Sequence, residues 1–213
     1  MKTNKYTFLF TGYIFVMLLF WIGIKLTEQR DLPINLMYSF ALNTMSLIGG
    51  LLGIVISKKW GGFKSAVGSG IFFLGLGLVS WGGVGGYIWS FYNFILKQEV
   101  PYPSLSDMGF AGAIPLWVLG IFFLSKATGV KFSLKKSGGR IILALLPIAV
   151  SFFSYYVLFV VARGGSFDWE GGTLKVFLDL FYPISDWIIL TLSLIVWGLS
   201  LKYLGGKYKW PIY

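Results

Sequence analysis

Val67–Leu96, VGSGIFFLGLGLVSWGGVGGYIWSFYNFIL, runs for thirty residues without a charged side chain. An α-helix rises about 1.5 Å per residue and a hydrocarbon core is ~30 Å thick, so roughly 20 such residues cross a membrane. This stretch therefore spans a bilayer with length left over to tilt or to project beyond it. Five further apolar runs flank it: Phe8–Ile24, Pro33–Ile56, Ser104–Ser125, Ile141–Ala162 and Pro183–Leu204. The first is short, and Lys25 and Leu26 extend it by snorkelling. With no small-x-small cleavage pattern after it, it reads as a retained helix and not as a leader. The expected fold is an all-α membrane protein of six transmembrane helices, forming a single polytopic domain over residues 1–213.

Composition agrees. Of 213 residues, 56% are hydrophobic and 12% charged, and the mean hydropathy is +0.77, too apolar for an ordinary soluble domain. The chain has neither His nor Cys. Disulfides, thiol nucleophiles, His-ligated haem and the usual zinc sites are thereby excluded. Any acid–base chemistry falls to carboxylates, Tyr or Lys. Phosphate-binding glycine loops and serine elbows are missing too, and no Lys lies deep in a span. The reading leans away from an enzyme, with no metal and no cofactor expected.

The charges sort by connection. All eight acids (Glu28, Asp31, Glu99, Asp107, Asp168, Glu170, Asp179 and Asp186) lie in or beside every second connection, with Lys25, Arg30, Lys97, Arg163 and Lys175. The other connections and the termini carry the remaining thirteen of eighteen basic residues and no acid. A Lys/Arg excess in short loops marks the cytoplasmic side, so both termini are expected inside and the acids outside, in the plasma membrane. The net charge of +10 is then topological and implies no nucleic acid. Membrane lipids are partners by necessity, and the basic loops offer a surface for anionic lipid or for an acidic signalling or assembly partner.

Two helix entrances look alike: Pro101-Tyr102-Pro103-Ser104-Leu105-Ser106-Asp107 and Tyr182-Pro183-Ile184-Ser185-Asp186. Leu32-Pro33-Ile34-Asn35 is a fainter echo. Three helical hairpins on one plan are the natural reading. Pro suits the first helical position, and a Ser followed three residues later by an acid fits a capping box. Asp107 and Asp186 therefore cap two helices, or else converge as a site for a cation, an amine or a polar head group. Tyr102, Tyr182, Ser106, Ser185 and Asn35 complete that candidate set.

This Pro-Tyr-Pro-Ser-x-x-Asp segment with a later Tyr-Pro-x-Ser-Asp resembles the multi-spanning N-terminal membrane regions of some bacterial and archaeal signalling proteins, over about Trp81–Leu204. In those proteins the region precedes a diguanylate cyclase or histidine kinase domain, which these 213 residues do not contain. The resemblance implies a sensing or partner-binding module. The expected function is thus a non-enzymatic ligand-binding, sensory or scaffolding unit. The alternatives are a small cation channel or carrier using Asp107 and Asp186, and a carboxylate-based intramembrane lipid enzyme.

Gly82 and Gly86, like Gly49 and Gly53, are four apart, which lets helix backbones approach closely. The rival reading is an apolar groove walled by Trp81, Trp89, Phe91 and Tyr92. Asn43, Thr44, Ser46 and Asn93 are expected to make interhelical hydrogen bonds. Pro115 and Pro147 are expected to kink their helices, with Ser151, Ser154 and Tyr155 near the carbonyl that Pro147 frees.

Overall fold

In hydrocarbon each backbone N–H and C=O needs a partner from the protein, and a helix supplies one within its own segment. The described spans take that solution. The computed structural model describes residues 5–27, 33–128, 137–166, 169–170 and 172–200, and these are mostly helical with no strand among them. The helices are α1 (Lys5–Leu26), α2 (Pro33–Lys59), α3 (Ala66–Leu96), α4 (Ser106–Ala127), α5 (Ser137–Ser154, continued by the wider turns of Tyr155–Val161) and α6 (Thr173–Ser200). Among the described residues, six helices are long and apolar enough to cross a membrane.

The side-chain distribution is inverted relative to a soluble protein. Large apolar groups such as Phe8, Phe152 and Phe153 face outward, while Gly68, Ser69, Gly70, Gly75 and Gly77 of α3 are buried. So extensive an apolar surface is stable against lipid and not against water. α3 is central, packed between α2 and α4; α1 flanks α2, and α6 sits between α4 and α5.

Glycine makes this arrangement possible. A Cβ on Gly50 would lie 2.5 Å from the Gly75 carbonyl oxygen, and one on Gly109 would lie 2.1 Å from the Gly85 nitrogen. Backbone therefore meets backbone on both sides of α3, the contact that replaces the hydrophobic drive missing between helices in lipid. Between these contacts α3 widens into π turns over Val79–Gly86. There the Gly86 carbonyl accepts from Asn43 Nδ2 (3.1 Å) and Ser90 Oγ (2.7 Å), and Ser80 Oγ donates to the Gly109 carbonyl (2.8 Å). Thr44 Oγ1 lies 3.1 Å from the Tyr87 hydroxyl. Asn43 and Thr44 thus join helices as expected, whereas Ser46 and Asn93 bond carbonyls of their own helices, Leu42 and Trp89.

Three readings require correction. α6 starts at Thr173 and not at Pro183, which falls inside it. The residues before Pro183, Leu174-Lys175-Val176-Phe177-Leu178-Asp179-Leu180-Phe181-Tyr182, are apolar enough to continue the helix, and Leu178 is buried against it. One proline removes a single bond, to the Asp179 carbonyl, which a membrane helix tolerates. In α5, Ser151 Oγ donates to the Pro147 carbonyl itself (2.7 Å) and not to the carbonyl that Pro147 frees, four residues earlier. The Trp81, Trp89, Phe91 and Tyr92 walls also do not assemble. An open apolar cleft of about 600 Å³ borders α2 and α3 near Met37, Phe40, Tyr87 and Phe91, and of the four expected residues it includes Phe91 alone.

Substituting Gly109 by Val is expected to destabilise the protein by about 1–3 kcal/mol, the usual effect of overpacking. Gly23→Val, where nothing lies within 4 Å, is expected to leave it unchanged. Unfolding midpoints in mixed detergent micelles measure both, and equal midpoints would refute the close packing of α3 on α4.

Candidate functional site

The entrance to α4 is built as its sequence suggests. α3 ends where Lys97 turns left-handed (φ 51°) and Gln98 N–H returns to the Tyr92 carbonyl (3.1 Å). A short connection with a cis Tyr102–Pro103 bond then leads to Ser104. Asp107 reaches back to cap the helix: its Oδ2 accepts from the Ser104 N–H (2.7 Å) and from Ser104 Oγ (3.2 Å). The carboxylate also meets the positive end of the α4 dipole. Ser106 is buried and shares a hydroxyl contact with Ser104.

The second carboxylate oxygen of Asp107 is taken from across the bundle. The Tyr182 hydroxyl on α6 donates to Asp107 Oδ1 at 2.7 Å. In return the Tyr102 hydroxyl donates to Asp179 Oδ1 on α6 at 3.1 Å, and Arg163 Nη1, just past α5, lies 3.6 Å from the same oxygen. Asp179 and Tyr182 are three residues apart and so share one face of α6. Each side contributes one tyrosine and one aspartate, and the two pairs cross. Hydrogen bonds to charged groups contribute about 1.5–3 kcal/mol each, so the clasp ties the α3–α4 connection to α6 and to the end of α5.

The candidate residues therefore divide. Tyr102, Ser106, Asp107 and Tyr182 come together. Ser185 is buried on α6 without joining them, and Asn35 opens α2, which packs on α1 and α3. Asp186 is exposed, with no hydrogen-bond or ion-pair partner among the described residues. It caps nothing, because α6 is already several turns long where it stands. Asp179 and Arg163, read from sequence only as charges in or beside an acid-bearing connection, belong to the clasp. Asp179 was hidden by taking Pro183 as the helix boundary; the Asp179-x-x-Tyr182 spacing, in a run apolar enough for helix, is the pattern that marks it. Glu28, Asp31 and Asp168 lie outside the described residues.

The arrangement ties charged and phenolic groups together across α4 and α6. Among the described residues no three acids gather as a metal site. The Tyr102 phenol, outside the spans, is pushed up to about 12, first by burial and then by its bond to the Asp179 carboxylate.

Two outcomes follow. In a double-mutant cycle, Tyr182→Phe and Asp107→Asn are expected to couple by about 1–3 kcal/mol, read from unfolding midpoints; a coupling of zero would dissolve the clasp. A raised tyrosine pKa favours the folded state while the phenol keeps its proton. That increment is complete below about pH 10, the ordinary tyrosine value, and is lost as pH rises through about 12. Wild-type protein should accordingly lose more stability between pH 9 and pH 12 than Tyr102→Phe does, and parallel profiles would show that Tyr102 is an ordinary phenol. No protein-family model, curated protein or solved structure matches the chain.

Proposed function

We propose that this chain is a non-enzymatic membrane module, sensory or scaffolding in kind, whose ligand or partner is received at the end of the bundle that carries the acids. The carrying observation is the crossed Tyr–Asp clasp: Tyr102 and Arg163 are accessible parts of a polar cluster that fastens α4 to α6 and α5. A ligand competing for Asp179 or Tyr102 would loosen one of these fastenings. Such a change at a helix end is transmitted along rigid helices to the opposite end.

That opposite end carries Lys58, Lys59, Lys64, Lys126 and Arg140. By the charge rule it is cytoplasmic and both termini are inside, with the protein in the plasma membrane. Basic residues there attract anionic lipid or an acidic protein surface by roughly 1 kcal/mol each. The reading includes three hairpins of one plan, α1–α2, α3–α4 and α5–α6, whose second helices follow the acid-bearing connections.

Binding is favoured over cation conduction by how the polar groups are used. Both oxygens of Asp107 are bonded, Asn43 and Ser80 are spent on helix–helix contacts, and the clefts are lined mostly by apolar side chains.

Since the chain has no cysteine, single thiols report sidedness cleanly. Ser166→Cys should label with a membrane-impermeant maleimide on intact cells, and Phe63→Cys only after permeabilisation; the reverse pattern would invert the orientation. Reconstituted vesicles should show no cation flux above protein-free controls. Flux that disappears in Asp107→Asn would make the protein a channel or carrier instead.

A further inference from the structure

Asp186 is the polar group that the clasp leaves out. Tyr182 meets Asp107 in the first turn of α4. At about 1.5 Å per residue, the 22 residues of α4 cover ~33 Å, just the thickness of the hydrocarbon, which puts that turn at the membrane boundary. Asp186 is four residues further along α6, about 6 Å inside. With one methylene its carboxylate cannot snorkel back to water over that distance. Asp179, on the wet side of the boundary, has two partners; Asp186, on the dry side, has none among the described residues.

The direction of Asp186 explains this. It shares an exposed stripe of α6 with Leu190 (37% exposed) and Trp197 (40% exposed), at spacings of four and seven. The faces of α6 toward α4 and α5 bury Ser185, Thr191 and Val196 instead. Acids inside a membrane face the bundle interior or pair with an opposite charge. This one is exposed a turn beyond Tyr182, on a helix ridge of the kind a second helix packs against.

We infer that the Asp186–Leu190–Trp197 stripe of α6 docks a transmembrane helix of a partner protein that carries one Lys or Arg about a turn inside the acid-end boundary. The inference stands apart from the clasp, which uses none of these residues. A second copy of the chain in the same orientation fits less well: its Lys25 and Lys97 stand at the very ends of α1 and α3, about a turn above Asp186, its Arg163 lies at the level of Asp179 and its Lys175 further out. Lipid amines belong to the head-group layer, whereas a helix can place a cation at any depth.

The test uses proteoliposomes, the full chain labelled through Ser166→Cys, and synthetic leucine-rich transmembrane peptides read by energy transfer. One peptide carries a single Lys a turn from the matching end, a second carries it at the other end, and a third has none. The matched peptide should associate at least tenfold more strongly than the other two. Asp186→Asn should abolish that preference without shifting the unfolding midpoint, and Asp186→Lys should transfer it to a peptide bearing Glu at the same depth. This charge swap separates docking from folding. Equal association of all three peptides, or a preference that survives Asp186→Asn, would overturn the proposal. Competition by amine-headed lipid would assign the face to head groups, and Asp186-dependent energy transfer between protein copies would assign it to a second copy. Either result also overturns it.

Discussion

A polar group brought into or beside hydrocarbon has no water to bond, so the protein must supply its partner or leave it at a cost. That constraint accounts for most of what is specific in this fold. The backbone answers it by being helical. Asp107 answers it twice, once with its own helix cap and once with Tyr182. Asn43 answers it at the Gly86 carbonyl, inside the π turns. Where the answer comes from a neighbouring helix, it also fixes which helix that neighbour is.

Packing and polarity are therefore one problem in this chain. Glycine removes the side chains between α3 and its neighbours, and the resulting approach brings Ser80 and Asn43 within reach of carbonyls across the interface. α6 is held differently, with fewer glycine contacts and more dependence on the clasp. The unsatisfied groups collect there: Trp187 Nε1 and Thr191 Oγ1 are buried without hydrogen-bond partners among the described residues, close to the exposed Asp186.

The spans were legible because hydrophobic length is a strong pattern that needs no tertiary information. The Asp107 cap was legible for a similar reason, since a capping box is a local spacing. The start of α6 was not, because a proline marks a boundary in water far more firmly than in lipid, and Pro183 hid the helix before it. That error concealed Asp179 and suggested a pairing of Asp107 with Asp186 by likeness of motif. The crossed pairing of each tyrosine with the other side's aspartate could not be read at all; it depends on which helices are neighbours, and glycine spacing says that helices approach without saying which.

The clasp is the claim on which the functional reading rests, and its geometry can be observed in bilayers directly. Solid-state NMR on protein labelled at tyrosine ring and aspartate carboxyl carbons reads the two pairs separately, with Tyr182→Phe and Tyr102→Phe assigning the peaks. The account requires a short-range contact from Tyr182 to Asp107 and another from Tyr102 to Asp179. Contacts from Asp107 to water and its own helix end alone, with no tyrosine in range, would contradict it.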